Sequence, residues 1–216
     1  MGKSAASVTQ QAIRAISAGA VSLLLAPVGF KRRSPHFWRE TDGIYQAVHF
    51  QASQWGTSSE GSFTVNLGIS SPTLYASFTG REFPKNPATV LWPVSARIGS
   101  LMPSHCDLWW EVSERTDLDT LGIEVASALR DHALPYLDRI RTPDQFNTLL
   151  LGEQPIPGVT AAQRPLIGAT LAIDIGEYQS ARRMLEEALA KHLGKPFEST
   201  VRNVARRLDL QLNGAN

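Results

Sequence analysis

Near the start of the chain, apolar residues recur at helical spacing. Ile13, Ile16, Ala20, Leu23 and Leu24 fall on one face, as an amphipathic core helix requires. The spacing predicts a helix over 5–26, ended by Pro27 and Gly29. The period then drops to two. Ile44, Gln46, Val48, Phe50 and Ala52 alternate with Tyr45, Ala47, His49, Gln51 and Ser53, and Phe63, Val65, Leu67 and Ile69 alternate with Thr64, Asn66 and Gly68. Each run predicts a strand with one core-facing side. Residues 55–61, WGTSSEG, read as the loop between them. A shorter strand over 36–40 is expected to turn back through Thr41-Asp42-Gly43, since Asp-Gly suits a hairpin turn.

From 71 to 93 the chain carries four prolines and little periodicity, which predicts a surface excursion. Residues 94–101 fit a strand or a helix equally well. Residues 107–112 read as a strand in which one of Trp109 and Trp110 faces inward. Leu118, Leu121, Val125, Leu129 and His132 mark a helix opened by Thr116 or Asp117 and interrupted by Pro135, with a shorter helix over 143–151. Gly152 to Gly158 form the best linker candidate. Beyond it the pattern is helical: 164–175, 178–193 and 198–210.

These elements predict an α+β fold, an antiparallel sheet packed on helices with a C-terminal helical hairpin in a three-helix extension. The expected domains are 1–152, a linker over 153–163, and 164–216. Within 164–193, Gly176, Tyr178, Ala181 and Ala188 resemble the second half of a tetratricopeptide repeat, where small residues let helices pack closely. Only one such unit is visible, so a docked hairpin is expected rather than a repeat array. Phe50, Val65, Leu67 and one of Trp109 or Trp110 should share a core with the first helix.

Composition narrows the function classes. Hydrophobic residues make up 43% of the 216 residues, charged residues 19%, and the net charge is +1. Disorder and a partnership driven by bulk nucleic acid are therefore disfavoured. The lone Cys106 excludes an internal disulfide and favours a reducing, cytoplasmic setting. The apolar stretch at 15–30 is interrupted by Ser17 and Ser22, lacks an A-x-A pattern, and reads as too short and broken to span a bilayer. No membrane partner is expected.

Several segments resemble a bacterial family known as domain of unknown function 4304. They are Pro27-Val28-Gly29-Phe30-Lys31-Arg32-Arg33 followed by Phe37-Trp38-Arg39, then His49 to Ser53, Phe63 to Ile69, Arg97-Ile98-Gly99, and Asp107 to Trp110. The resemblance covers about residues 20–150. It implies an α+β domain and supplies no activity or catalytic residue.

Alternation places Tyr45, His49, Gln51, Ser53, Thr64 and Asn66 on one polar sheet face. Arg97, Trp109 and Glu111 join it if 94–101 is a strand. A histidine, two amides, a cation and a carboxylate on rigid strands suit polar recognition, or acid–base work by His49 or Glu111, or a plain solvated face. One-sided antiparallel sheets ordinarily present such residues to water, so a solvated face is the first expectation. The binding set is His49, Gln51, Trp55, Asn66, Arg97, Trp109 and Glu111.

Lys31-Arg32-Arg33 is short for a nucleic-acid tract and reads as solvated turn charge. Arg202, Arg206 and Arg207 are balanced by Glu186, Glu187 and Glu198. The histidines (36, 49, 105, 132 and 192) are scattered, and G-x-S-x-G, P-loop, G-x-G-x-x-G and H-E-x-x-H patterns are absent. No cofactor, metal ligand set or catalytic residue is assigned. Two functions from different classes follow. One is a cytosolic protein-binding module, with a toxin-neutralising immunity protein as its sharpest form and a bacterial toxin as partner. The alternative is a small enzyme or nucleotide-handling protein using the polar sheet face.

Overall fold

The computed structural model describes residues 7–212. The helix expected over 5–26 begins at Val8, and its expected start lies outside the described residues. Ser7 caps it, its hydroxyl accepting from Gln10 N at 3.3 Å. The run is two helices rather than one: α1 (Val8–Ala18) and α2 (Ala20–Leu25), broken at Gly19. A 3-10 turn, Ala26–Val28, follows, and Gly29 at φ +89° turns the chain where a side chain would be strained. By length and composition alone, Val8–Val28 reaches what a membrane crossing needs, with mean hydropathy 1.5 and a third of it buried.

Six strands form one sheet. They are β1 (Lys31–Arg33), β2 (His36–Glu40), β3 (Tyr45–Ala52), β4 (Glu60–Ser70), β5 (Val94–Arg97) and β6 (Trp110–Ser113). The order is β1-β2-β3-β4-β5, and β6 also pairs with β4, antiparallel, with Ser62 opposite Glu111 and Phe63 opposite Trp110. The fold is α+β. β1 is an edge strand that periodicity did not reveal, because three basic residues carry no alternation. Residues 94–101 are both things the pattern allowed: β5, then a 3-10 turn over Ile98–Leu101. Trp110 is the inward tryptophan.

One correction concerns 71–93. Residues Pro72–Thr79 form a helix, α3, rather than a surface excursion. Ser71 Oγ accepts from Leu74 N at 3.0 Å, and Pro72 sits at the first helical turn, where its missing N–H costs nothing. A second concerns Pro135. Helix α4 (Leu118–Ala128), capped by Asp117, runs on through a π turn at Leu129–Ala133 into α5 (Leu134–Asp138). Widening the turn absorbs the donor that Pro135 lacks, so the helix continues where an interruption was expected.

The chain divides into two compact units. The first comprises Met1–Glu40, Gln46–Gly68 and Ser95–Asp138. Its core joins Phe37, Val48, Phe50, Phe63, Val65, Leu67, Trp110 and Val112 of the sheet with Ile13, Ile16, Val21, Leu25, Val125 and Leu129 of the helices. Phe63 links Phe50 and Trp110, with ring centroids 5.8 and 5.5 Å away. α1 and α2 pack on α4, where a Cβ on Gly122 would stand 3.7 Å from Ala20 Cβ. Among these apolar groups lies a charge. Arg39, buried on β2, donates to Gln46 Oε1 (2.8 Å), Val28 O (3.0 Å) and Asp138 Oδ1 (2.5 Å), and lies 4.7 Å over the Phe30 ring. Gln46 in turn donates to Leu137 O at 2.7 Å.

The second unit comprises Thr41–Tyr45, Ile69–Val94 and Arg139–Asn216. It holds α3, α6 (Pro143–Leu151), α7 (Arg164–Asp174), α8 (Tyr178–His192) and α9 (Glu198–Arg207). α7 and α8 make the expected hairpin around Gly176, with Ala169, Ala172, Ala181 and Ala188 buried at the contact. α3 packs against α7 and α9. Arg207 donates to Ser77 O and Phe78 O, closing the carboxyl end of α3, and Arg202 pairs with Glu198 at 2.7 Å. These arginines are occupied within the unit.

Candidate functional site

The β3–β4 connection is a held turn. Ser53 N donates to Ser62 O at 2.8 Å, Thr57 N to Glu60 O at 2.8 Å, and Thr57 Oγ1 accepts from Glu60 N at 3.0 Å. Trp55 N donates to Ser53 Oγ at 3.1 Å. The turn therefore displays Trp55, which is 84% exposed.

Two open clefts flank that tryptophan. One, of about 660 Å³, is lined by Gln51, Ser53, Gln54, Trp55, Ser62, Arg97 and Trp109. The other, of about 620 Å³, is lined by Trp55, Thr57, Glu60, Ser62, Glu111 and Thr116, among others. Four of the seven sequence-derived site residues thus meet in one cleft, and Glu111 lies exposed in the second.

Arg97 ends β5 and lies 5.0 Å over the Trp109 ring. Asp107 forms an ion pair with Arg97 and accepts from Trp109 Nε1 at 3.0 Å. One carboxylate therefore fixes both the cation and the ring beneath it. Gly99 makes this possible: the backbone of Cys106 and Leu108 passes where its Cβ would stand. That crossing brings Asp107 to Arg97. Asp107 was missed in sequence reading; its place two residues before Trp109 was the available signal.

Asn66 and His49 do not line either cleft wall named above. Asn66 Nδ2 donates to Gln51 Oε1 at 2.7 Å, so it orients Gln51. His49 stacks on His36, with ring centroids 4.2 Å apart and planes 24° apart. Burial, and secondarily the charge of His36, lowers the His49 pKa to about 4; burial lowers that of His36 as well. His49 and Glu111, the two candidate bases, stand apart. Glu111 is opposite Ser62, whereas His49 is four residues along β3 from Ser53, about 13 Å at the rise of a strand. Nor is the polar face open along its length: Ala47, Thr64 and Ser70 are buried. Only its Gln51–Ser62 end forms a cleft. Among the described residues, no three His, Cys, Asp or Glu side chains gather as metal ligands.

Compared with known proteins, residues 21–139 match the family model described as a domain of unknown function, DUF4304. The match starts within α2 and ends just after α5, shorter at its carboxyl end than the resemblance anticipated. No curated protein and no solved structure matches the chain.

Proposed function

We propose that this chain, which belongs to the DUF4304 family, is a protein-binding module that grips its partner at Trp55. The observation that carries the reading is the exposure of that tryptophan on a pinned turn. A large apolar ring held in water lowers its free energy only by being covered. The turn is already ordered, so covering it costs little conformational entropy. Beside it, the Arg97–Trp109–Asp107 stack supplies the aromatic and arginine side chains that anchor protein interfaces. Both clefts are open troughs, a shape suited to a protein surface more than to an engulfed small molecule. Neutralisation of a toxin in the cytoplasm is the sharpest form of this reading.

The test is site-specific photo-crosslinking in the native host. A photoreactive residue at Trp55 should capture a discrete protein that the same residue at Tyr178, an exposed ring in the other unit, does not. With that partner in hand, W55A and the pair Q51A/R97A should weaken binding at least ~10-fold. Melting should stay within about 2 °C of the parent chain. Equal capture at both positions, or unchanged affinity in the variants, would refute the reading.

A further inference from the structure

Charge is unevenly placed along this chain. Six of its 21 Lys and Arg, and none of its 20 Asp and Glu, lie in the first 39 residues. Of those six, Arg39 is buried against Asp138, whereas Arg14, Lys31, Arg32 and Arg33 are exposed. Lys3 lies outside the described residues. Lys31, Arg32 and Arg33 are all of β1, the edge of the sheet, and among the described residues none of them is in an ion pair. Lys31 rests its ammonium 4.8 Å over the Trp38 ring, its cross-strand neighbour. Immediately before this strand the chain exposes apolar groups. Leu23 is 78% exposed and Val28 41%, and Ala26 and Pro27 are exposed between them. Leu23, Ala26 and Pro27 recur at i, i+3 and i+4, so they share one side of the α2 end.

We propose that residues 23–33 form a peripheral docking surface for an anionic lipid bilayer. The chemistry of the patch is twofold, and a bilayer answers both halves. Lipid phosphates attract the unpaired basic edge, and the boundary between headgroups and acyl chains takes the protruding aliphatic groups. A nucleic acid would satisfy the cations and offer nothing to Leu23 and Val28. A side chain as protruding as Leu23 inserts readily into a fluid interface. Across the β1–β2 pair the exposed charges are Lys31, Arg32, Arg33 and Glu40, three cations to one carboxylate, and the Asp138 carboxylate is neutralised by Arg39, so the local field attracts an anionic surface. The Val8–Val28 run meets the length and composition of a crossing, but docking at the surface requires no span. The anionic inner leaflet of a cytoplasmic membrane is the surface of matching charge.

The experiment uses the full chain and vesicles of phosphatidylcholine alone or with about one-third phosphatidylglycerol, the anionic fraction being the one that engages basic residues. The chain should sediment with the anionic vesicles at low salt, stay in solution with the neutral ones, and be released by high salt. K31E/R32E/R33E should lose ~10-fold or more in binding, and L23S/V28S several-fold, each with unchanged melting. An environment-sensitive fluorophore at L23C, in a C106S background, should shift to the blue when anionic vesicles are added. The proposal is overturned by no sedimentation with anionic vesicles, by full binding of both variants, or by a fluorophore that stays in water while the chain is bound. Binding to DNA without binding to vesicles would overturn it in favour of a purely ionic partner. Resistance to high salt and alkaline carbonate would overturn it in favour of an integral segment.

Discussion

Replacing Arg39 with methionine isolates what a buried cation contributes to the first unit. Met fills most of the volume of the arginine stem and removes the donors. Gln46 Oε1 then loses a buried donor and Val28 O a half-buried one. Asp138 is not left unpaired, because its side chain is 49% exposed against 4% for Arg39, and water replaces the guanidinium there. A buried acceptor left unpaired costs about 1–3 kcal/mol. The added apolar burial of Met offsets roughly 1 kcal/mol of the sum. R39M should therefore lose about 2–4 kcal/mol. D138N keeps an acceptor oxygen for the guanidinium and should lose only about 1 kcal/mol, since a half-exposed pair is screened. Equilibrium urea unfolding reads both values through Trp38, Trp55, Trp109 and Trp110, which all lie in this unit. Two results would refute the reasoning: R39M within about 0.5 kcal/mol of the parent chain, or D138N costing as much as R39M. The second would make the ion pair, rather than the satisfied acceptors, the source of stability.

L67A should cost about 2–5 kcal/mol in the same assay, because Leu67 is 1% exposed at the centre of the sheet; a loss below about 0.5 kcal/mol would contradict that packing. His49 supplies a pH dependence. Its folded pKa of about 4 lies below the ordinary 6.5, so the unfolded chain takes the proton first. Its contribution is intact above pH 6.5, declines as pH falls toward 4, and is gone below; screening at a half-buried ring limits it to about 1–2 kcal/mol. Chemical unfolding from pH 7.5 to 3.5 should show this slope flattened in H49Q, and parallel curves for the two proteins would refute it.

Local pattern carried most of the secondary structure, because β3, β4 and α6–α9 have a single dominant period. It failed where two signals competed. At 71–79, Pro72 looked like a breaker, yet proline behind a capping serine opens a helix, and Ser71-Pro72 is that arrangement. At Pro135 the reverse error arose, because a π turn is a response of the whole helix and leaves no mark in the residues. Arg39 is the deeper case. On β2 it shares a face with buried Phe37, but nothing in the local pattern names its partners, which come from 11, 7 and 99 residues away. Only tertiary structure brings those together.

The candidate site shows the same division. Alternation put Gln51, Arg97 and Trp109 on one side of the sheet, and that side is where they meet. Alternation is silent on what covers a face, so it could not separate the cleft at Gln51 from the buried stretch at Thr64. The basic edge is legible in the sequence as three consecutive cations, and the structure places them exposed on β1. A net charge of +1 disfavours a partnership driven by bulk nucleic acid, but a sum is blind to order along the chain. The first acidic residue is Glu40. A field acts over about a Debye length, so the charge that the proposed docking surface presents at β1 is the local excess of cations, not the balance of the whole chain.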